Sequence, residues 1–211
     1  MINRHIFINC PFSDDYSQHF HAIIFTVIRS GFTPRCAREN DDGGEVRFDK
    51  ICRIIRDCAF GIHDISKTES DPGSGLPRFN MPFELGLFLG ARMFGGQIHR
   101  SKRALILDKE PYRYQQFISD IAGQDVHAYG GDVDRLIEQV ATWLRDSAGE
   151  PDVPGGMAIA GDYRAFTDDL PGICRDQRLR LEEITFKDFW KMAVSWIAIV
   201  ATWSPPFFRK T

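Results

Sequence analysis

The sequence lacks the cysteine pairs of disulfide-bonded or zinc-binding proteins, the long apolar runs of membrane proteins and the excess of positive charge typical of proteins that bind nucleic acids. Its 5 cysteines form an odd set without a CxxC motif or zinc-like spacing, which predicts reduced, mostly buried thiols. The longest apolar run, Met192 to Trp203, is far shorter than the roughly 20 residues of a membrane-spanning helix. Lys and Arg total 26 against 29 for Asp and Glu, which argues against binding to duplex nucleic acid.

The sequence also predicts no secretion signal, and it contains no phosphate-binding motif. Its first apolar run, within MINRHIFINCPF, is too short for a signal peptide, so we expect a cytoplasmic protein for which membrane contact is disfavoured. No glycine-rich loop of the P-loop or dinucleotide-binding type occurs. No metal and no resident cofactor are predicted, and a nucleotide enters below only as a substrate.

What the sequence does contain is an alternation of strands and amphipathic helices. Strands are predicted over residues 5–12, 32–38, 60–65, 103–107 and 126–129. Helices are predicted between them, over residues 14–31, 46–59, 80–94, 114–122 and 133–145. This alternation predicts an α/β fold, with a five-stranded parallel flavodoxin-like sheet of order 2-1-3-4-5 and helices on both faces.

A Pro/Gly-rich segment at residues 147–157 divides the chain. It predicts an α/β domain over residues 1–147 and a helical C-terminal extension over residues 158–211. The extension is rich in tryptophan, with Trp190, Trp196 and Trp203. We expect this helix to pack on the domain or on a second copy, giving a homo-oligomer; contact with a membrane surface is the alternative.

The polar residues of interest follow the first and third strands or begin the helix after the third strand. In parallel sheets of this kind ligands bind beyond the carboxyl ends of the strands. Glu84 lies within the apolar stretch PFELGLFLGA, where a carboxylate costs free energy to bury unless it is paired or used. Such a carboxylate can stabilise or attack the cationic sugar carbon that forms when an N-glycosidic bond breaks. The alternative is a first-turn glutamate favoured by the helix dipole, with Asn80 as the helix cap.

Other residues near this edge are predicted to contact a small-molecule ligand. Asp64 and Asn80 would bind sugar hydroxyls, the loop after the first strand would bind phosphate or stack on a base, and Arg78 would bind phosphate. Each has a simpler interpretation as a loop cap, a hydrophobic staple or a solvated charge. The predicted substrate-binding residues are Asn9, Pro11, Phe12, Asp64, Arg78, Asn80 and Met81, with Lys109, Glu110, Tyr112 and Arg113 in the pocket wall.

Two segments resemble known families. FINCPFSDDYSQHFHAIIFTVIRSGFTPRCA resembles the opening strand, loop and helix of Toll/interleukin-1 receptor (TIR) domains. FGIHDIS, followed by a long loop and NMPFELGLFLGA, resembles the nucleoside 2-deoxyribosyltransferases. Both resemblances imply a flavodoxin-like core and cleavage of N-glycosidic bonds by a glutamate. Glu84 matches that glutamate and Asp64 the aspartate after the strand, whereas Asn80 replaces an acidic group that the transferases carry.

These resemblances imply an enzyme that cleaves the N-glycosidic bond of NAD or a related nucleotide, with a role in bacterial defence. One alternative is a nucleoside 2-deoxyribosyltransferase or a nucleotide N-glycosidase. Another is a non-catalytic module that senses a nucleotide or binds a partner through the same cleft.

Overall fold

The computed structural model describes residues 3–40, 42–70, 73 and 75–202. Its strands are His5–Asn9 (β1), Thr33–Arg35 (β2), Phe60–Asp64 (β3), Arg103–Asp108 (β4) and Val126–Ala128 (β5). Its helices are Ser17–Arg29 (α1), Arg47–Asp57 (α2), Asn80–Phe94 (α3), Val133–Ala148 (α4), Gly156–Asp176 (α5) and Phe186–Thr202 (α6).

The strands form one parallel sheet in the order β2-β1-β3-β4-β5, which confirms the predicted α/β flavodoxin-like arrangement. Ile62 of β3 lies opposite Ile8 of β1 and Leu105 of β4, so the centre of the sheet is apolar. The edge strands β2 and β5 are each 3 residues long, and Pro34 is the middle residue of β2.

Helices cover both faces of the sheet. Helices α1, α4, α5 and α6 pack with one another on one face, whereas α2 and α3 cover the other. Side chains alternate along a strand, so Ile62 of β3 joins the core beneath α1, while His63 contacts Phe88 of α3. This alternation decides which face each polar side chain at a strand end can reach.

The predicted helix over residues 114–122 is wrong in detail. The structure has two short 3-10 turns there, Arg113–Gln116 and Ser119–Ile121. Ile118, between them, has an extended φ of −148°. The segment therefore follows the surface as a loop and supplies only a few apolar side chains to the small core beneath α3.

The C-terminal extension packs on the domain, as one of the two interpretations of the sequence predicted. Phe166 of α5 and Phe189 of α6 are fully buried in the same cluster as Phe25 of α1. The Tyr163 hydroxyl donates a hydrogen bond to the Gln18 carbonyl at 3.0 Å. The indole N–H of Trp196 donates to Asp169 within the extension. Trp203 lies outside the described residues, and no described helix has both the length and the apolarity to cross a membrane.

Candidate functional site

The carboxyl ends of the central strands hold buried polar side chains, as the sequence predicts for a ligand-binding edge. Asn9, Asp64 and Asp108, at the ends of β1, β3 and β4, are all buried. Each must find a hydrogen-bond partner within the protein or lose free energy on folding. Their partners show what each residue does.

Glu84 lies one turn into α3, on the face of the helix that packs against the sheet. It is only 5% exposed, beside the buried Leu85 and Phe88. No hydrogen bond to its carboxylate is found among the described residues. Burial raises the pKa of Glu84 to about 7, opposed only by the positive charge of Arg47 at the start of α2. Glu84 is therefore a carboxyl group kept near its ionisation point at neutral pH.

The start of α3 departs from the predicted cap. Asn80 is the first helical residue instead of the cap, Phe79 occupies the cap position, and no side chain bonds to the free N–H groups there. Pro82 fits in the first turn because its missing N–H is not needed at a helix start. Asn80 is exposed to solvent, and among the described residues no side-chain hydrogen bond joins it to Glu84 or Asp64.

Asn9 anchors this helix start. Its side-chain amide donates one hydrogen bond to the Met81 carbonyl at 2.8 Å and lies 3.1 Å from Nδ1 of His63. Because the amide nitrogen can only donate, His63 must accept at Nδ1 and carry its proton on Nε2. Burial lowers the pKa of His63 to about 3, so the ring is neutral. Asn9 and Met81 were both predicted to contact the ligand. The structure brings them together, but they form a hydrogen bond with each other.

Asp64 faces the opposite side of the sheet. One carboxylate oxygen accepts a hydrogen bond from the Tyr16 hydroxyl at 2.5 Å, and the other accepts from the Ser66 backbone N–H at 2.8 Å. The Tyr129 hydroxyl donates to the Ser66 hydroxyl at 3.1 Å. Burial raises the pKa of Asp64 and these hydrogen bonds oppose that rise. Asp64 is therefore a paired carboxylate.

Cys10, at the end of β1, experiences both carboxylates. Burial raises the pKa of its thiol well above the ordinary value, and the charges of Asp64 and Glu84 raise it further. The sulfur is a protonated, unreactive thiol, in agreement with the sequence-based expectation of buried cysteines. The two carboxylates therefore lie near one strand end, each on its own side.

A cleft of about 550 Å³ opens beside the Asp64 network. Tyr16, Ser66 and Tyr129 reach it from that network. His19 is stacked against the Tyr16 ring, and its buried Nδ1 atom has no hydrogen-bond partner. Charged side chains of both signs line the cleft: Lys67, Arg78, Lys109, Asp15 and Glu69. Lys67 forms an ion pair with Asp15.

Pro11 and Phe12 line a different cleft, of about 620 Å³, between the loop after β1 and the connection from α5 to α6. The Arg38 guanidinium lies 4.7 Å from the centre of the Phe12 ring and donates a hydrogen bond to the Phe12 carbonyl. The sequence predicted that the Phe12 ring could stack on a base. In the structure the Arg38 guanidinium covers one face of that ring.

The predicted residues therefore do not meet in one cleft. Arg78 and Lys109 line the cleft beside Asp64, while Glu84, Asn9 and Met81 cluster on the α3 side and line neither cleft. The physical reason is the strand alternation, which sends Asp64 toward α1 and its neighbour His63 toward α3. Arg113, predicted in the pocket wall, instead binds Asp108 and the Ser66 carbonyl, joining the ends of β3 and β4.

Sequence reasoning missed the polar residues that surround Asp64. Tyr16, His19 and Ser66 lie within the segments that resemble known families, but neither resemblance gave them a role. Lys67 and Tyr129 lie outside those segments. Ser66 and Lys67 directly follow the predicted third strand, so their position at the ligand-binding edge was a usable signal. Tyr16 and Tyr129 donate hydrogen bonds to Asp64 and Ser66, respectively. These contacts depend on how distant elements pack, so no sequence pattern predicts them.

Comparisons with known proteins found no match: no protein-family model, no curated protein and no solved structure matches the chain. Within the described part of the chain, no group of three or more His, Cys, Asp or Glu side chains is arranged to hold a metal ion.

Proposed function

We propose that this protein cleaves the N-glycosidic bond of NAD or a closely related nucleotide, with Glu84 as the group that stabilises or attacks the sugar carbon. The observation that carries the proposal is the Glu84 carboxyl itself, 5% exposed and without a hydrogen-bond partner among the described residues. A buried acid of this kind destabilises the fold when ionised, so its retention is best explained by chemistry. The resemblance of NMPFELGLFLGA to the nucleoside 2-deoxyribosyltransferases supports the same role.

The reaction needs few groups. Breaking the bond between the sugar carbon and the ring nitrogen leaves positive charge on the sugar, which the ionised Glu84 stabilises or captures. Water then adds to that carbon and loses a proton to solvent; if Glu84 has captured the carbon, its ester bond breaks in this step and the carboxylate is restored. In NAD the leaving nicotinamide is cationic before cleavage and departs as a neutral base, so no acid is required to protonate it. That chemistry fits a helix start with the neutral Asn80 in place of an acidic group.

The cleft beside Asp64 offers a place for the rest of such a ligand. In this proposal Lys67 and Lys109 attract the diphosphate. Glu84 does not line this cleft, so the proposal requires the sugar to cross the end of β1 to meet its carboxyl group. The rings of Tyr16 and Tyr129 give the cleft a partly aromatic wall. A nucleotide combines phosphate charge with a flat base, and these lining residues suit both features.

The test is to incubate the protein with NAD, with deoxynucleosides and with nucleotides, and to separate the released bases by chromatography. We expect nicotinamide release by the wild type and a loss of at least about a hundredfold in the Glu84→Gln variant. The exposed helical residue Glu138 provides a matched control, since Glu138→Gln leaves that surface otherwise unchanged. Because only ionised Glu84 acts, release should rise with pH with a midpoint near 7. Near-full turnover in Glu84→Gln would contradict the assignment.

A nucleotide sensor without turnover is the second candidate, favoured by the separation between Glu84 and the basic cleft. In that case NAD or a nucleotide should raise the melting temperature without release of base, and Lys67→Ala should remove the rise. Exchange of the base when a second free base is added would instead identify a deoxyribosyltransferase.

A further inference from the structure

Helix α3 presents an apolar stripe beside the face that carries Glu84 and packs against the sheet. Phe83 and Phe94 are 55% and 85% exposed at its two ends. Between them a shallow groove runs along the helix, and no charged side chain lines it. The stripe, as we define it, consists of Phe83, Gly86, Leu87, Gly90, Ala91 and Phe94.

The order of side chains along the stripe is nearly the same from either end. Phe83 pairs with Phe94, Gly86 with Ala91, and Leu87 with Gly90 about a common midpoint between Phe88 and Leu89. A two-fold axis through that midpoint would place two copies of α3 antiparallel, with Leu87 of each copy against Gly90 of the other. Self-complementarity of this kind is what an isologous interface requires.

The glycines make close approach of two helices feasible. An ideal Cβ atom added at Gly86 or Gly90 would meet nothing within 4 Å, so neither glycine is needed for packing inside this chain. Glycine within a helix costs about 1 kcal/mol relative to alanine. Both glycines lower the stability of the helix, and neither is required by packing within this chain. This indicates that the backbone of another molecule approaches α3 at these positions.

The exposed area is large enough to matter. Phe79 and Met93, 68% and 75% exposed, flank the stripe, and the Phe48 ring of α2 lies 6.1 Å from that of Phe83. Phe79, Phe83, Met93 and Phe94 together expose roughly 550 Å², taking about 200 Å² for one fully exposed large side chain. A patch of that size is at the upper end of what a monomer exposes, and such patches often serve a function. With the partly exposed Leu87 added, the area stays below the roughly 800 Å² per partner of an ordinary interface, which fits a dimer whose formation depends on concentration.

We propose that two copies of this chain associate through the stripe on α3, antiparallel and about a two-fold axis. The proposal is independent of the proposed chemistry. It moves the expected interface from the C-terminal helix, whose Phe189 and Met192 are buried within the chain, to the helix that carries Glu84.

The test measures mass in solution by light scattering and sedimentation, using the full chain between about 1 µM and about 100 µM. Gly90→Gln adds a side chain where the monomer has space, and it blocks Leu87 of a second copy. Gly161→Gln in α5 is the matched control, because Gly161 is also helical and an added Cβ there also meets nothing within 4 Å. Phe94→Gln removes one end of the stripe.

We expect a concentration-dependent dimer for the wild type and for Gly161→Gln. The dissociation constant should rise at least about tenfold in Gly90→Gln and in Phe94→Gln. The melting temperature of dilute Gly90→Gln should be no lower than that of the wild type, which shows that the fold survives. A wild type that stays monomeric throughout would overturn the proposal. A dimer unaffected by Gly90→Gln, or one broken by Val194→Gln on the exposed side of α6, would overturn it too.

Discussion

Two acids near the same strand end differ in how they are held. Both oxygens of Asp64 accept hydrogen bonds, from Tyr16 and from Ser66, whereas no described residue donates one to Glu84. The paired acid belongs to the framework of the fold. The unpaired one, with its pKa raised to about 7, stores free energy that is released when it is protonated.

Glu84→Gln should therefore stabilise the protein at alkaline pH. The folded chain holds a proton on Glu84 up to a pKa of about 7, against an ordinary value of 4.5, so stability falls as pH rises between these values. Removing the charge should add about 3 kcal/mol to the free energy of unfolding at about pH 8 and almost nothing at about pH 4. Urea unfolding of both proteins at each pH measures this, with Glu138→Gln as the control. An equal effect at both pH values would show that Glu84 is not buried as described.

At the scale of secondary structure, side chains join elements that are distant in sequence. Asn9 of β1 donates hydrogen bonds toward β3 and α3. Lys102, just before β4, is buried and donates to the Ile55 carbonyl of α2 and to the Cys58 carbonyl just beyond it. The lysine supplies a positive charge and donors where the last carbonyls of a helix lack partners.

If the Asn9 amide holds the start of α3 in place, replacing it should lower stability, and Asn9→Asp should lower it more than Asn9→Ala above neutral pH. Asn9→Ala removes both donors and should cost about 2 kcal/mol. Asn9→Asp should cost more above neutral pH, although its shape is nearly the same. His63 can move its proton to Nδ1 and donate to the carboxylate, but the Met81 carbonyl would face a negative charge. Chemical denaturation compares the two variants. Wild-type stability in both, with loss of ligand binding alone, would restore the ligand role that the sequence predicted for Asn9.

Lys102→Met should lower the free energy of unfolding by about 2 kcal/mol, because the Ile55 and Cys58 carbonyls lose their buried donor. Lys187→Met, on the exposed side of α6, should change it by less than about 0.5 kcal/mol. Thermal and urea unfolding of the three proteins provide the measurement. Equal stabilities for both variants would mean that water replaces the lysine at the end of α2.

The sequence predicted the elements and their order because their hydrophobic periods are local. The apolar run of β3 and the spacing of Leu136, Val140 and Leu144 in α4 can be read without knowing their neighbours. The pairing of Tyr16 with Asp64, or of Asn9 with Met81, joins segments whose approach is fixed only by tertiary packing. Glu84 could be found from sequence because its charge interrupts an apolar helix, whereas the hydrogen bond from Tyr16 to Asp64 could not.

At the scale of the whole molecule, the helical extension shares its core with the domain. The rings of Phe166 and Phe189 contact each other, and the Phe166 ring also stacks on Phe25 of α1. All three side chains belong to one buried cluster. A change in composition near residues 147–157 marks a turn of the chain but carries no information on what the following helices cover.

A chain ending at Ala148 should therefore fail to fold cooperatively. It would expose Phe25 and the outer side of α1, which α5 and α6 cover in the full chain. Near-ultraviolet circular dichroism and thermal melting compare the short and full chains. A cooperative transition at the full-length temperature would instead show that residues 1–147 form an independent domain, as their composition suggests.

The borders of the sheet limit how these molecules can aggregate. At one border Pro34 offers no N–H for a further strand, and at both borders the strand ends after 3 residues. A neighbouring chain that arrives extended, as in amyloid growth, finds almost no ladder to continue. Crowded or partly heated samples should accordingly form amorphous precipitates through their aromatic helices, with little binding of fibril-specific dyes.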